Sequence, residues 1–424
     1  MADLNALDRA VMWHPFTQMA TWEPLAIAAG EGNYVIDHAG RRYLDGVSSL
    51  WCNVHGHRHP RLDRALREQL DRIAHSTFLG LTHEPAIRLG AALLEVAPRG
   101  LSRVFYSDSG ATAVEIALKQ SFQYWQLTGR PRKQRFLRLD EAYHGDTLGA
   151  VGVGGIELFH RIFGPLLVRS IAIPSPAGTD GSAALAALEQ QLAVHAADLA
   201  AFVLEPLVQG AAGMLVHPRG FLAQAAALCR RHDVHLIVDE VATGFGRTGT
   251  LFACEQEAVS PDFLCLAKGI SGGYLPLAAT LTTEQVYAAF LGQQHELKQF
   301  FHGHTYTANP LACAVGLESL ALLRESTLAN ARAQIPAFIA ALGRMAQQPG
   351  VRSVRYCGLM AGIELEPKPP RHLGIEVCAR VRSHGVILRP LGDLLVWMPP
   401  LTVTPDDLQL LERATAAALR ETLG

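Results

Sequence analysis

His235-Leu-Ile-Val-Asp239-Glu240-Val and Phe263-Leu-Cys-Leu-Ala-Lys268-Gly each end a short apolar run on an ionisable side chain, the lysine standing 29 residues after the aspartate. Apolar runs of this length, bounded by polar or glycine punctuation, read as strands buried on both faces. Arg103-Val-Phe-Tyr-Ser, Arg135–Leu139 and 200–204 have the same character. Between them lie helical stretches, of which Val114, Ala117, Leu118, Phe122 and Trp125, at i, i+3, i+4, i+8 and i+11, mark one apolar face. Strand and helix therefore alternate from about Leu101, which predicts an α/β fold with a mostly parallel sheet flanked by helices. In such a fold functional groups gather beyond the carboxyl ends of the strands.

A chain of 424 residues exceeds what one core usually holds, so a large domain and a smaller one are expected. Residues 1–60, with strand-like Tyr34-Val-Ile-Asp and Gly40-Arg-Arg-Tyr-Leu-Asp, are expected to pack with the small domain. Residues 61–309 form the expected large domain and 310–424 the C-terminal small domain, which opens on a helical pattern at 311–323. Residues 175–182, rich in Pro, Gly, Ser and Thr, read as a surface loop.

Lysine plus arginine total 37 against 39 acidic residues, a balance that gives no electrostatic reason for nucleic acid or an anionic membrane as partner. A small molecule is expected instead. The seven cysteines are odd in number and include no Cys-x-x-Cys pair, which suits reduced thiols in a cytoplasmic protein. The opening Met-Ala-Asp-Leu-Asn-Ala-Leu-Asp-Arg carries acids and no apolar core, so no export signal is expected. The apolar run that stops at Glu205 is too short for a membrane span.

An aspartate and a lysine that close neighbouring strands also fit an ordinary ion pair at a sheet edge, so the surrounding residues carry the weight. Asp108-Ser109-Gly110-Ala111-Thr112 stands where a strand hands over to a helix. Free N–H groups and the helix dipole favour a phosphate there, and the small Gly110 and Ala111 let an anion approach; a simple capping turn would look alike. Tyr143-His-Gly-Asp146 follows another strand and offers a ring for stacking, as would a buried structural tyrosine. Together these pieces match the needs of pyridoxal 5'-phosphate: an amine for the Schiff base, an acid for the ring nitrogen, donors for the phosphate and a ring to stack on. Lys268 is then the natural base to move a Cα proton, which requires its neutral form to be favoured.

The run Asp239-Glu-Val-Ala-Thr-Gly-Phe-Gly-Arg-Thr-Gly249, followed by Lys268-Gly and Phe301-His-Gly-His-Thr305-Tyr, resembles class III aminotransferases of fold type I across nearly the whole chain. Trp13-His-Pro-Phe-Thr-Gln-Met19, Ser48-Ser-Leu-Trp51, His57-Arg-His-Pro60, Tyr106-Ser-Asp-Ser-Gly110, Tyr143-His-Gly-Asp146 and Arg389-Pro-Leu-Gly-Asp are similar, within that class, to the 7,8-diaminononanoate synthases of biotin biosynthesis.

The resemblance implies a seven-stranded-type sheet in the large domain, a smaller α+β domain from both termini, and a homodimer with active sites at the interface. It implies that Lys268, Asp239 and Tyr143 form the catalytic set, with Tyr143 stacked on the ring and Asp239 paired with its nitrogen. Ser109, Gly110 and Ala111 would bind phosphate, joined by Thr305 from the other subunit. Phe16, Trp51, Asp146 and Arg389 would line the site for 8-amino-7-oxononanoate, Arg389 suiting its distant carboxylate. The usual amino donor of that family is S-adenosylmethionine. Phe16, Leu391 and His304 depart from many of its members, and Phe16 with the 301–305 segment resembles a branch in which lysine is the donor, so both donors stay open.

Arg247 reads as structural or close to the cofactor. His55, His57, His59, His302 and His304 raise a metal site, but alternating histidines beside Gly and Pro lack a helical ligand pair, and no metal is expected. Other activities of the same fold remain: ω-amino-acid:pyruvate or acylornithine aminotransferase, decarboxylase and aminomutase.

Overall fold

The computed structural model describes residues 4–168 and 170–424. Its largest sheet has seven strands in the order Leu101–Ser107, Ala278–Thr283, Phe263–Leu266, His235–Asp239, Leu199–Leu204, Arg135–Leu139 and Ile171–Ile173. Ala278–Thr283 runs antiparallel to both its neighbours, and the remaining pairs are parallel. The α/β class and the mostly parallel sheet follow the sequence reading. Ala278–Thr283 and Ile171–Ile173 are the two strands that reading did not single out.

Leu199–Leu204 and His235–Asp239 are buried along their whole length, as strands covered by helices on both faces must be. The helix Gly110–Leu127 packs on Phe263–Leu266 and Ala278–Thr283, burying Val114, Ala117, Leu118 and Trp125. Phe122, expected on that face, is 39% exposed instead. At eight residues from Val114 it stands about 80° round the helix, on the margin of the apolar stripe. There it lines a surface cavity of about 560 Å³ together with Phe300 and Phe301.

Strands from the two ends of the chain pair with one another. Val386–Ile387 runs parallel to Arg42–Asp45 and completes a sheet begun by Ile27–Glu31 and Tyr34–Asp37. Asp407, in the first turn of the last helix Pro405–Leu423, accepts hydrogen bonds from Asn33 Nδ2 (2.8 Å) and the Tyr34 hydroxyl (2.6 Å). A second sheet, of Val351–Cys357, Met360–Leu365, Leu394–Trp397 and Arg389–Leu391, sets Arg389 on an edge strand. Among the described residues no helix is long and apolar enough to cross a membrane.

Candidate active site

Five strands of the large sheet deliver their carboxyl ends to one cavity of about 730 Å³, whose lining includes Ser109, Tyr143, Glu205, Asp239, Lys268 and Trp51. The first five follow or end the strands Leu101–Ser107, Arg135–Leu139, Leu199–Leu204, His235–Asp239 and Phe263–Leu266. Parallel alignment puts those five chain ends on one edge, so residues far apart in sequence converge without any of them touching in the chain.

At one end of the cavity the helix Gly110–Leu127 begins. Ser109 caps it through a reciprocal pair of bonds with Thr112 (Thr112 N to Ser109 Oγ, 3.3 Å). Gly110 and Ala111 line the cavity beside it. The glycine at 110 is required by packing, since a Cβ there would stand 2.5 Å from Val241 Cγ1. Gly145 is required twice over: its φ is +114°, and a Cβ would stand 2.4 Å from Ala111 Cβ. The Tyr143–Asp146 turn is thereby pressed against the helix start.

Asp239 is 4% exposed. Its Oδ1 accepts from the Val241 N–H at 3.0 Å and its Oδ2 lies 2.7 Å from His144 Nδ1, which donates to it. Both oxygens keep a further lone pair. Lys268 is partly buried just beyond the neighbouring strand Phe263–Leu266, with its Nζ 4.8 Å from the Trp51 ring centroid. Enclosure by protein lowers the pKa of its amine, against the pull of Asp239 and Glu205, which shifts it toward the neutral form its expected role needs.

Trp51 reaches the lysine on a contorted loop. Ser48, Ser49 and Trp51 all have positive φ (51°, 62° and 64°), as does Lys268 itself (48°). Each such residue costs on the order of 1 kcal/mol and persists only when its surroundings fix it. Buried Asp45 does so here: Ser49 N and Oγ donate to its two oxygens at 2.7 and 2.9 Å, and His57 Nε2 lies 3.0 Å from Oδ2. Arg247 contributes from below. It is 1% exposed and donates to the Pro399 carbonyl (2.5 Å) and Ser48 Oγ (3.2 Å), a structural placement.

Phe16 and Arg389 meet each other outside the cavity lining, with the guanidinium 5.6 Å from the Phe16 ring centroid. Phe159 continues this aromatic wall, 5.4 Å from Phe16 and 6.3 Å from Tyr143, ring centre to ring centre. Asp146 accepts the Tyr143 hydroxyl at 2.7 Å. Thr305 is exposed and does not line the cavity of its own chain. His304, one of the departures, lies with Nδ1 2.7 Å from Asp108 Oδ2, next to the phosphate turn. The remaining histidines raised from the sequence are taken up locally: His55 bonds Thr327 and Ser319, and His59 caps the helix Pro60–Leu70.

Sequence reading missed His144 and Glu205. His144 stood inside a motif of which only the flanking Tyr143 and Asp146 were used. Glu205 closes the apolar strand Leu199–Leu204 just as Asp239 closes His235–Asp239, and that shared pattern was the available signal.

A family model described as Aminotransferase class-III matches residues 18–419. The chain belongs to the class III aminotransferases. It is 51% identical to the adenosylmethionine-8-amino-7-oxononanoate aminotransferase of Nitratidesulfovibrio vulgaris, over 99% of this chain and 82% of that one. Among solved structures it superposes with TM-score 0.95 on the adenosylmethionine-8-amino-7-oxononanoate aminotransferase of Methanocaldococcus jannaschii, at 41% identity over 99% of this chain and 98% of that one. An amine transaminase from an uncultivated Pseudomonas species, solved in its PLP-bound form, superposes with TM-score 0.92 at 35% identity, over 97% of this chain and 98% of that one. These are fold type I enzymes, and class III aminotransferases use pyridoxal phosphate. The residues present fit that group. The helix start offers backbone donors where only glycine fits, Asp239 keeps an acceptor toward the cavity, and Trp51 Nε1 and Thr147 Oγ1 are buried lining donors without a partner.

Proposed function

We propose that this class III aminotransferase transfers an amino group to 8-amino-7-oxononanoate to give 7,8-diaminononanoate, in biotin biosynthesis, with S-adenosylmethionine or lysine as donor. The observation that carries the reading is the convergence of Asp239, Lys268, Tyr143 and Trp51 on one cavity, with Arg389 near Tyr143, in a chain half identical to relatives so named.

When bound, pyridoxal phosphate supplies a carbonyl that condenses with amines and a ring that draws electrons from the neighbouring carbon. Ser109, Gly110 and Ala111 would hold its phosphate with backbone N–H groups, and Tyr143 would pack against its ring. Asp239, oriented by His144, would keep a proton on the ring nitrogen. Lys268 Nζ would take the proton from the donor's amine-bearing carbon and later deliver one to the former keto carbon of the acceptor. Trp51 and Phe16 exclude water along the alkyl chain, Asp146 faces the substrate amine, and Arg389 takes the distant carboxylate.

The same reading makes the protein a cytoplasmic homodimer divided at residues 60 and 309, in which Thr305 of each protomer reaches the phosphate of its partner. The exposure of Thr305 in the single chain supports that role.

The likeness to the amine transaminase favours one alternative, an ω-amino-acid:pyruvate aminotransferase. Purified holoenzyme is to be incubated with 8-amino-7-oxononanoate and either S-adenosylmethionine or lysine, and 7,8-diaminononanoate measured by mass spectrometry. Product with either donor is the expected result and names the donor. No product with either, together with alanine formation from an ω-amine and pyruvate, establishes the alternative.

A further inference from the structure

Glu205 is 5% exposed and closes the strand between those of Asp239 and Tyr143. Its Oε1 accepts the Gly210 N–H at 2.9 Å and its Oε2 accepts the Tyr143 N–H at 3.3 Å. One carboxylate thus joins two walls of the cavity. The Tyr143 wall carries the ring that packs against the cofactor. The Gly210 wall supports Trp51, since a Cβ at Gly210 would stand 3.3 Å from Trp51 Cζ3, and Trp51 in turn covers Lys268.

Among the described residues no side-chain cation bonds Glu205, whereas the buried Asp45 has the His57 ring beside it. The charged and titratable groups around it are His144, Asp239, Lys268 and Tyr143. Among the described residues neither Asp239 nor His144 bonds it: His144 Nδ1 is taken by Asp239, and His144 Nε2 is buried without a partner.

We propose that Glu205 is a positioning residue of the transamination site, a clamp that sets the distance between the Tyr143 wall and the Trp51–Lys268 wall by accepting both N–H groups at once. The inference rests on the aminotransferase reading of the cavity, and not on which keto acid or donor it takes. A carboxylate has acceptors for both N–H groups, whereas a protonated carboxyl turns one oxygen into a donor. Burial, with Asp239 adding to it, pushes the Glu205 carboxyl up to about 7, while His144 and the two N–H groups pull the other way. The clamp therefore closes as pH rises through neutrality and loosens below it.

The test uses the holoenzyme with E205Q and E205D. Glutamine keeps the shape but places an amide donor against one N–H, so E205Q reproduces the protonated state at every pH. Cofactor absorbance is to be titrated against pH without substrate, and kcat and KM measured across the same range. In wild type an inflection near pH 7 is expected in the absorbance. E205Q is expected to lack it, to lose about tenfold in kcat above about pH 8, and to keep KM within about threefold. Absence of the inflection in wild type, or its persistence in E205Q, overturns the proposal. If E205Q does not fold, E205D decides: its shorter carboxylate reaches one N–H only, and a wild-type pH profile there overturns the clamp. The absorbance titration involves no substrate, so a wrong keto acid or donor leaves its outcome untouched.

Discussion

His144 Nδ1 lies 2.7 Å from Asp239 Oδ2, and the two residues are 3% and 4% exposed. His144 is the only side chain that bonds Asp239 among the described residues, so the orientation of the acid rests on an imidazole. A charge-assisted bond of this kind contributes about 1.5–3 kcal/mol. His144→Phe is therefore expected to lower kcat by tenfold or more while cofactor stays bound, measured by steady-state rates against cofactor content. Unchanged kcat would leave Asp239 held by Val241 alone.

Lys268 separates activity from stability. Its pKa is lowered in the fold, so the unfolded chain binds a proton that the folded apoenzyme resists, and stability from this residue falls as pH drops below about 10.4. Lys268→Met is expected to end multiple turnover and to raise apoenzyme stability at neutral pH, by on the order of 1 kcal/mol. Chemical denaturation of both apoproteins at pH 7 and pH 10 checks the sign, since the difference should shrink at the higher pH.

Gly145→Ala meets both a positive φ of +114° and the Ala111 Cβ at 2.4 Å. The expected cost is about 1–3 kcal/mol, with weaker cofactor binding because the helix start must shift. Melting temperature and a cofactor titration test this. Tight binding with unchanged melting would show that the turn relaxes freely.

Arg389→Ala removes the cation near Tyr143 and its contact with Phe16. KM for 8-amino-7-oxononanoate should rise by roughly tenfold or more, since a charge-assisted bond contributes about 1.5–3 kcal/mol. An acceptor that lacks the distant carboxylate should be far less affected. Equal losses on both acceptors would place Arg389 in structure rather than recognition.

Three buried histidines outside the site, His55, His217 and His235, are pushed down to about 3 by burial. Their folded pKa lies below the unfolded value of about 6.5, so each contributes stability that is complete above that value and lost as pH falls toward 3. Each adds up to about 1.4 kcal/mol of loss per pH unit in that window. Denaturant unfolding at pH 7 and pH 5 should show the fall, and His217→Gln should flatten it.

The sequence by itself determined the sheet class, five of its seven strands, and the placing of Asp239 and Lys268 at the ends of neighbouring strands, because these depend on local signals. An apolar run closed by a polar residue announces a strand and its functional end at once. Its account of the Gly110–Leu127 helix failed only at Phe122, on the margin of the stripe, where a few tens of degrees decide burial. Tertiary structure alone decided that His144 orients Asp239, that Glu205 joins two walls, and that Asp45 holds the strained loop bearing Trp51 over the lysine. Each of these contacts joins residues from different elements. The His144–Asp239 and Tyr143–Glu205 contacts form only once the parallel sheet has brought the strand ends to one edge, and no periodicity along the chain encodes that meeting.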